Sequence, residues 1–481
     1  MAAMVLVAEV TTLVALPTGW IRATHGNQTS ADEPHYLLTA ASLAQDGDLD
    51  VANQVDGELY RSFHEQRLAP QAATQASGRE VVPHDPGLAV VLAIPMHLGG
   101  WRAAKAVLAV LAGVLAAATL WLAVRRFDAR LVPATIIIGL LCASAPVVVY
   151  GGQIYPEVPA ALVLVGGVAA ASAVSGWRSD LGTILAVVAL PWLAVKYVPV
   201  AAALAVIHLG GRWRAGHRRT VTWSLGALGA AGIAYAAAHL AWYGGLTVYA
   251  AGDFFQANGS QLSVVGTRPD YLARSVRVVG LWADRDFGIG MWQPAWLLGV
   301  GGLAWVAGRR RDNWALVVVI AGVGWLTATF VALTMRGWWF PGRQVIVVLP
   351  LVAVAIASWA SHDRVVAILA NGLGLAGLVT TAWLVVDGLS ERLTLIVDFA
   401  LAGSPALALA RLAGPDYMDA TARTWVAHGA WLAVLGMVGA WGWRDAARHA
   451  GPPPDPTEAA ADRHGGVGRK RSDDLSMNAA P

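Results

Sequence analysis

The 481-residue chain is 56% hydrophobic and 14% charged, with a mean hydropathy of +0.53, which is more apolar surface than a soluble core could hide. Its formal net charge of +3 comes without a basic stripe interleaved with aromatics, which argues against a nucleic-acid partner. The single cysteine, Cys142, excludes an intrachain disulfide and any cysteine-rich metal site.

The apolar runs are continuous, rich in Ala, Leu and Val, and about 17 to 25 residues long, so they predict an all-α polytopic membrane protein rather than a barrel of alternating strands. They fall at roughly 4–20, 104–124, 132–150, 157–175, 181–209, 221–243, 291–308, 313–335, 343–360, 364–386 and 424–443. The first has no basic n-region and no clear small-x-small cleavage site, so it reads as a retained helix. Basic links at Arg125, Arg126 and Arg130, at Arg212 to Arg219, at Arg309 to Arg311, and at Arg444 with Arg448 mark one side as cytoplasmic. These links must all share a face. The 29-residue run 181–209 would be ~44 Å long as one helix and would put the Arg212 to Arg219 loop on the wrong side. It is therefore expected to fold as a helical hairpin with short arms of about 14 residues, broken between Pro191 and Pro199, with Lys196 at the apex. That gives about twelve transmembrane helices in a domain spanning 1–443, with both termini cytoplasmic. A long first extracytoplasmic loop covers 21–103, and further outer loops cover 244–290, 336–342 and 387–423. The polar, proline-bearing stretch 444–481 is expected to be a disordered cytoplasmic tail.

Charged groups that could carry chemistry collect on the outer side. Asp32 and Glu33 follow the first helix directly, in the stretch Asp32-Glu33-Pro34-His35-Tyr36, where a base for a lipid-borne substrate belongs. The competing expectation is that Asp32 or Ser30 caps a helix starting near Pro34. The loop returns through His84-Asp85-Pro86-Gly87. Glu157, in Tyr155-Pro156-Glu157, is the only acid between Asp128 and Asp180, and it heads a helix between apolar walls. Lys196 is one of three lysines, and its burial calls for snorkelling or for an anion such as a lipid phosphate. Arg336 and Arg343 flank Trp338-Trp339-Phe340, and guanidiniums suit phosphate oxygens, although interfacial anchoring accounts for the same pattern. Arg285, between Asp284 and Asp286, adds a third outer patch. Neither a phosphate-cradling glycine loop nor a His-Glu-x-x-His pair is present, and the sequons at Asn27 and Asn258 are short enough to arise by chance.

In order and placement these pieces resemble the C-type superfamily of integral-membrane glycosyltransferases, which use polyprenyl-phosphate sugars as donors and include protein O-mannosyltransferases and the aminoarabinose transferases of lipid A. The resemblance runs through about residues 1–360 and rests on the motifs just quoted together with Asp284-Arg285-Asp286-Phe287-Gly288. It implies a sugar transfer with inversion on the outer face of a bacterial plasma membrane, to a glycan, lipid or protein acceptor. Asp32 would be the base with Glu33 beside it, and Glu157 would be the second acid. Lys196 and Arg343, with Arg336 and Arg285, would serve the carrier phosphate, and His35, Tyr36, His84 and Tyr155 would line the substrate. No metal is required by this scheme, with a divalent ion between Asp32 and Glu157 as its variant. Many family members carry a sizeable soluble domain after the last helix, where this sequence is expected to have a short polar tail, and 387–423 has no counterpart there. Two other classes fit the sequence: a transporter or lipid flippase using the same charges as a substrate path, and a non-catalytic assembly subunit.

Overall fold

In the computed structural model, the described residues are 1–69, 71, 75, 78–251, 270–396 and 399–449. Their regular elements are all helices, with no strand beyond two isolated bridges, Thr24 to Asn27 and Asp50 to Val81. Among them six helices are long and apolar enough to cross a membrane: Gly87–Arg126, Arg218–Ala251, Trp314–Val331, Arg343–Ala360, Arg364–Leu389 and Ala422–His449. Shorter apolar helices lie at Ala2–Thr18, Leu131–Cys142 and Glu157–Ala171. Large apolar side chains such as Ile233, Trp223 and Ile368 face outward, as a bilayer solvent requires and water does not. The protein is a polytopic α-helical membrane protein.

Arg343–Ala360 is the central post. Every residue from Leu349 to Ala360 is buried, the pattern of a helix that is apolar all round because protein surrounds it. Around it helices approach closely where side chains are small. A Cβ on Gly442 would lie 2.0 Å from the Gly301 carbonyl oxygen, so the Gly299–Arg309 and Ala422–His449 helices can meet only with glycine there.

The 181–209 run is indeed interrupted. Helices Trp177–Leu193 and Val198–Arg214 are joined by a short 3-10 turn, Val195–Tyr197, with Ala194 extended. The arms are longer than expected, 17 residues or ~26 Å each, because helix continues past the apolar boundary into Trp177 to Asp180 and out to Arg214. The last part of the stretch 21–103, expected from the sequence to be a loop, is helical. Helix resumes at Gly87 and runs to Arg126, broken by a kink at Gly99-Gly100, where both residues leave helical φ/ψ. Within the loop, Glu33–Gln45 forms a buried helix packed against Gly87–Arg126. The last helix continues to His449, six residues into the expected tail. Residues 450–481 and the sequon at Asn258 lie outside the described residues.

Candidate active site

The chain reaches Asp32 through Ala31, whose φ of 47° is left-handed, and the helix Glu33–Gln45 then begins. Asp32 occupies the N-cap position but makes no side-chain capping bond, so the capping expectation is not met. Its carboxylate turns toward the central post instead. Arg343 Nη2 donates to Asp32 Oδ2 at 2.6 Å, Gln71 Nε2 lies 3.5 Å from Oδ1, and His84 Nε2 lies 3.8 Å from it. Glu33 points away from its neighbour. It accepts from the Ile154 N–H at 2.9 Å and lies 4.0 Å from Lys105 Nζ, fully buried.

Glu157 heads its helix after Pro156 and is 1% exposed. Its Oε1 accepts from Lys196 Nζ at 2.6 Å and from Arg343 Nε at 3.0 Å. Arg343 therefore bridges both acids. Its guanidinium is flanked by the rings of Tyr155 and Trp339, at 4.1 and 4.9 Å from their centroids, contacts that favour a delocalised cation. Gly342 makes the turn into this position with φ +88°, where a Cβ would also press on Ile289 and Pro146. The Tyr150 hydroxyl donates to the Phe340 carbonyl and fixes the approach to that turn.

Two carboxylates and two cations are thus matched charge for charge, drawn from four segments far apart in sequence. Their surroundings are not fully satisfied. Glu157 Oε2, the Tyr155 and Tyr197 hydroxyls, Trp339 Nε1 and His84 Nε2 are buried and without hydrogen-bond partners. Such groups are costly to bury unless something polar meets them. Burial would raise the Asp32 carboxyl, but Arg343 and His84 overcome this and hold it below the usual carboxylate range. Burial lowers His84 against the pull of Asp32. His35, buried and close to His84, is pushed down to about 3. Tyr36 stacks on His84 with ring centroids 4.5 Å apart.

Arg336 and Arg285 belong to a separate cluster. Arg336 pairs with buried Asp284, and Arg285 Nη1 pairs with Asp416 at 2.8 Å. Arg411 pairs with Asp286 at 2.7 Å. Among the described residues no hydrogen bond or ion pair joins these groups to Arg343; the turn containing Trp338 touches the first loop through its carbonyl, which accepts from Ser30 Oγ at 3.1 Å. The Arg343 guanidinium stands between Asp32 and Glu157, the position that the divalent-ion variant gives to the metal.

Sequence reasoning quoted Asp85 in the returning segment but gave it no role. It accepts from the Tyr235 hydroxyl at 2.8 Å, lies 3.0 Å from His239 Nε2, and accepts the Val195 N–H at 2.8 Å. It therefore ties the returning loop to the hairpin apex one residue before Lys196. Gly87 adds to this, because a Cβ there would stand 2.4 Å from the Trp192 carbonyl oxygen. The available signal was an acid directly before Pro86-Gly87 at a membrane entry, with His239 inside an apolar run. Lys105 was also passed over; its Nζ donates to the Gly19 carbonyl at 3.0 Å and faces Glu33. No protein-family model matches the sequence, and no curated protein matches it either.

Proposed function

We propose that this chain is a membrane glycosyltransferase that moves a sugar from a polyprenyl-phosphate donor to an extracytoplasmic acceptor. The observation that carries this reading is the convergence of Asp32, Glu157, Lys196 and Arg343 on one spot among unpartnered polar atoms. The reading takes the chain to have about twelve spans, with this cluster at the outer membrane surface.

The donor's anomeric carbon bears a phosphate leaving group, and its isoprenoid tail stays in the bilayer. In the transfer step the acceptor oxygen bonds to the anomeric carbon on the face opposite the phosphate, and the carbon–oxygen bond to the phosphate breaks. The acceptor's proton passes to Asp32. Negative charge gathers on the departing polyprenyl phosphate, where Lys196 and Arg343 stabilise it. Glu157 holds both cations in position before the donor arrives. A single displacement inverts the anomeric centre.

Binding of polyprenyl phosphate to the purified protein tests the cationic half. Lys196→Ala is expected to weaken binding by about tenfold or more, the worth of one charge-assisted hydrogen bond, while Lys196→Arg retains most of it. Equal affinity in wild type and Lys196→Ala overturns the assignment.

A further inference from the structure

At the opposite end of the central post, ~27 Å from Arg343 along the 18 residues to Ala360, a second polar site is built from different residues. A cavity of about 470 Å³ is lined by Arg126, Asp128, Trp305, Arg309, Arg310, Arg311, Asp312 and Trp314, among others. Four guanidiniums against two carboxylates leave it a net +2. One carboxylate oxygen, Asp128 Oδ2, is shared among Arg311 Nη1, Arg309 Nη1 at 3.7 Å and His362 Nε2 at 3.4 Å. Arg126 Nε is buried without a hydrogen-bond partner, its guanidinium 5.4 Å from the Trp121 ring centroid. The Arg309 guanidinium lies 4.7 Å from the Trp305 ring centroid, which holds it at the wall.

A general excess of arginine at the cytoplasmic ends of helices explains basic residues there, but not their convergence. Solvated arginines spread apart, whereas these surround one concavity with one overcommitted carboxylate at its edge. The backbone is bent to make it so. Asp128, Arg310 and Asn313 all have left-handed φ values, 58°, 43° and 67°, and they are half of the six non-glycine residues with positive φ among the described residues.

We propose that this cavity is a binding site for a phosphate-bearing anion, with Asp128 as the internal carboxylate that the phosphate displaces. A phosphate diester brings two acceptor oxygens for guanidinium forks, and an indole wall suits the glycerol backbone of a phospholipid at headgroup level. The site shares no residue with the Asp32 cluster and stands whether or not the chain transfers sugars.

The test uses the full-length protein in phosphatidylcholine nanodiscs, with retained phosphatidylglycerol counted by native mass spectrometry. Wild type is expected to retain phosphatidylglycerol over phosphatidylcholine, and the exposed double variant Arg310→Gln with Arg311→Gln is expected to lose about tenfold in that preference. Asp128→Asn removes the competing carboxylate and is expected to tighten retention. A residue that merely held the loop together would weaken it. Competition by inorganic phosphate supports the site and assigns it to a soluble phosphate, whereas insensitivity to inorganic phosphate assigns it to the lipid. Equal retention of the two lipids together with no response to inorganic phosphate overturns the proposal, as does a double variant that behaves as wild type or an Asp128→Asn protein that binds more weakly.

Discussion

Arg343 donates to Asp32 at 2.6 Å while the same guanidinium donates to Glu157 at 3.0 Å, so one side chain on the central post ties the segment after the first helix to the head of another helix. This has two sides. The bridge stabilises the assembly, and it also suppresses the basicity of the residue proposed as base. A donor phosphate that takes over Arg343 would relieve Asp32 of its strongest partner as the acceptor proton must be removed.

Arg343→Gln leaves buried Glu157 and part-buried Asp32 with one cation fewer. The expected cost is about 3–5 kcal/mol, as for other broken buried pairs, read as a lower unfolding midpoint in detergent. Asp32→Asn introduced on that background is expected to cost less than Asp32→Asn introduced on wild type, because the partner is already gone. Additive losses would show that the two residues do not stabilise one another.

Because Asp32 is held below the ordinary carboxylate range, it stays ionised in acid where a free aspartate would be protonated. The acid limb of kcat/KM is expected below pH ~4. Arg343→Lys keeps a charge but loses the two-pronged contact, so the Asp32 value rises and the limb moves to higher pH. An unmoved limb would assign the titration to another group.

His35 is pushed down to about 3 by burial, against an ordinary value of 6.5. Its folded-state value lies below its unfolded one, so the unfolded chain takes up the proton first as pH falls. The contribution is complete above pH 6.5 and is lost on acidification toward pH 3, by up to ~1.4 kcal/mol per pH unit. Unfolding midpoints of wild type are expected to fall between pH 6.5 and 4.5 more steeply than those of His35→Asn. His84 and His64, which burial also lowers, contribute to the slope left in the variant.

Asp85→Asn keeps the shape of the side chain but turns an amide toward groups that donate to a carboxylate. The hairpin apex should loosen, and Lys196 with it. A KM for the donor raised by about tenfold with a smaller change in kcat is the expected pattern, the worth of one hydrogen bond to a charged group. An unchanged KM would confine Asp85 to structural support.

The residues brought together at the site were legible as candidates because each breaks an apolar pattern: Asp32 after a helix, Glu157 at a turn, Lys196 between two prolines, Arg343 after Gly342. The two prolines and the excess length of 181–209 likewise made the hairpin legible. Partner choice was not. That Arg336 would pair with Asp284 and Arg343 with Asp32 depends on turns whose geometry no local pattern encodes, although both arginines lie in one ten-residue stretch rich in aromatics. Glu33 shows the same limit. Beside Asp32 it reads as half of an acidic pair, yet consecutive residues at a helix start point in different directions, and Glu33 meets Ile154 and Lys105 instead. Helix ends were the least legible, since helix begins at Gly87, before the Gly99-Gly100 break, where the apolar run placed its start near residue 104.

The central claim is most directly tested by incubating the purified protein in proteoliposomes with a radiolabelled polyprenyl-phosphate sugar and an extracytoplasmic acceptor extract, then determining the linkage formed. Wild type is expected to yield a new glycosidic bond of inverted anomeric configuration, and Asp32→Asn, inserted and folded, to yield none. Movement of label across the bilayer without a new glycosidic bond would contradict the account, and so would wild-type turnover by Asp32→Asn.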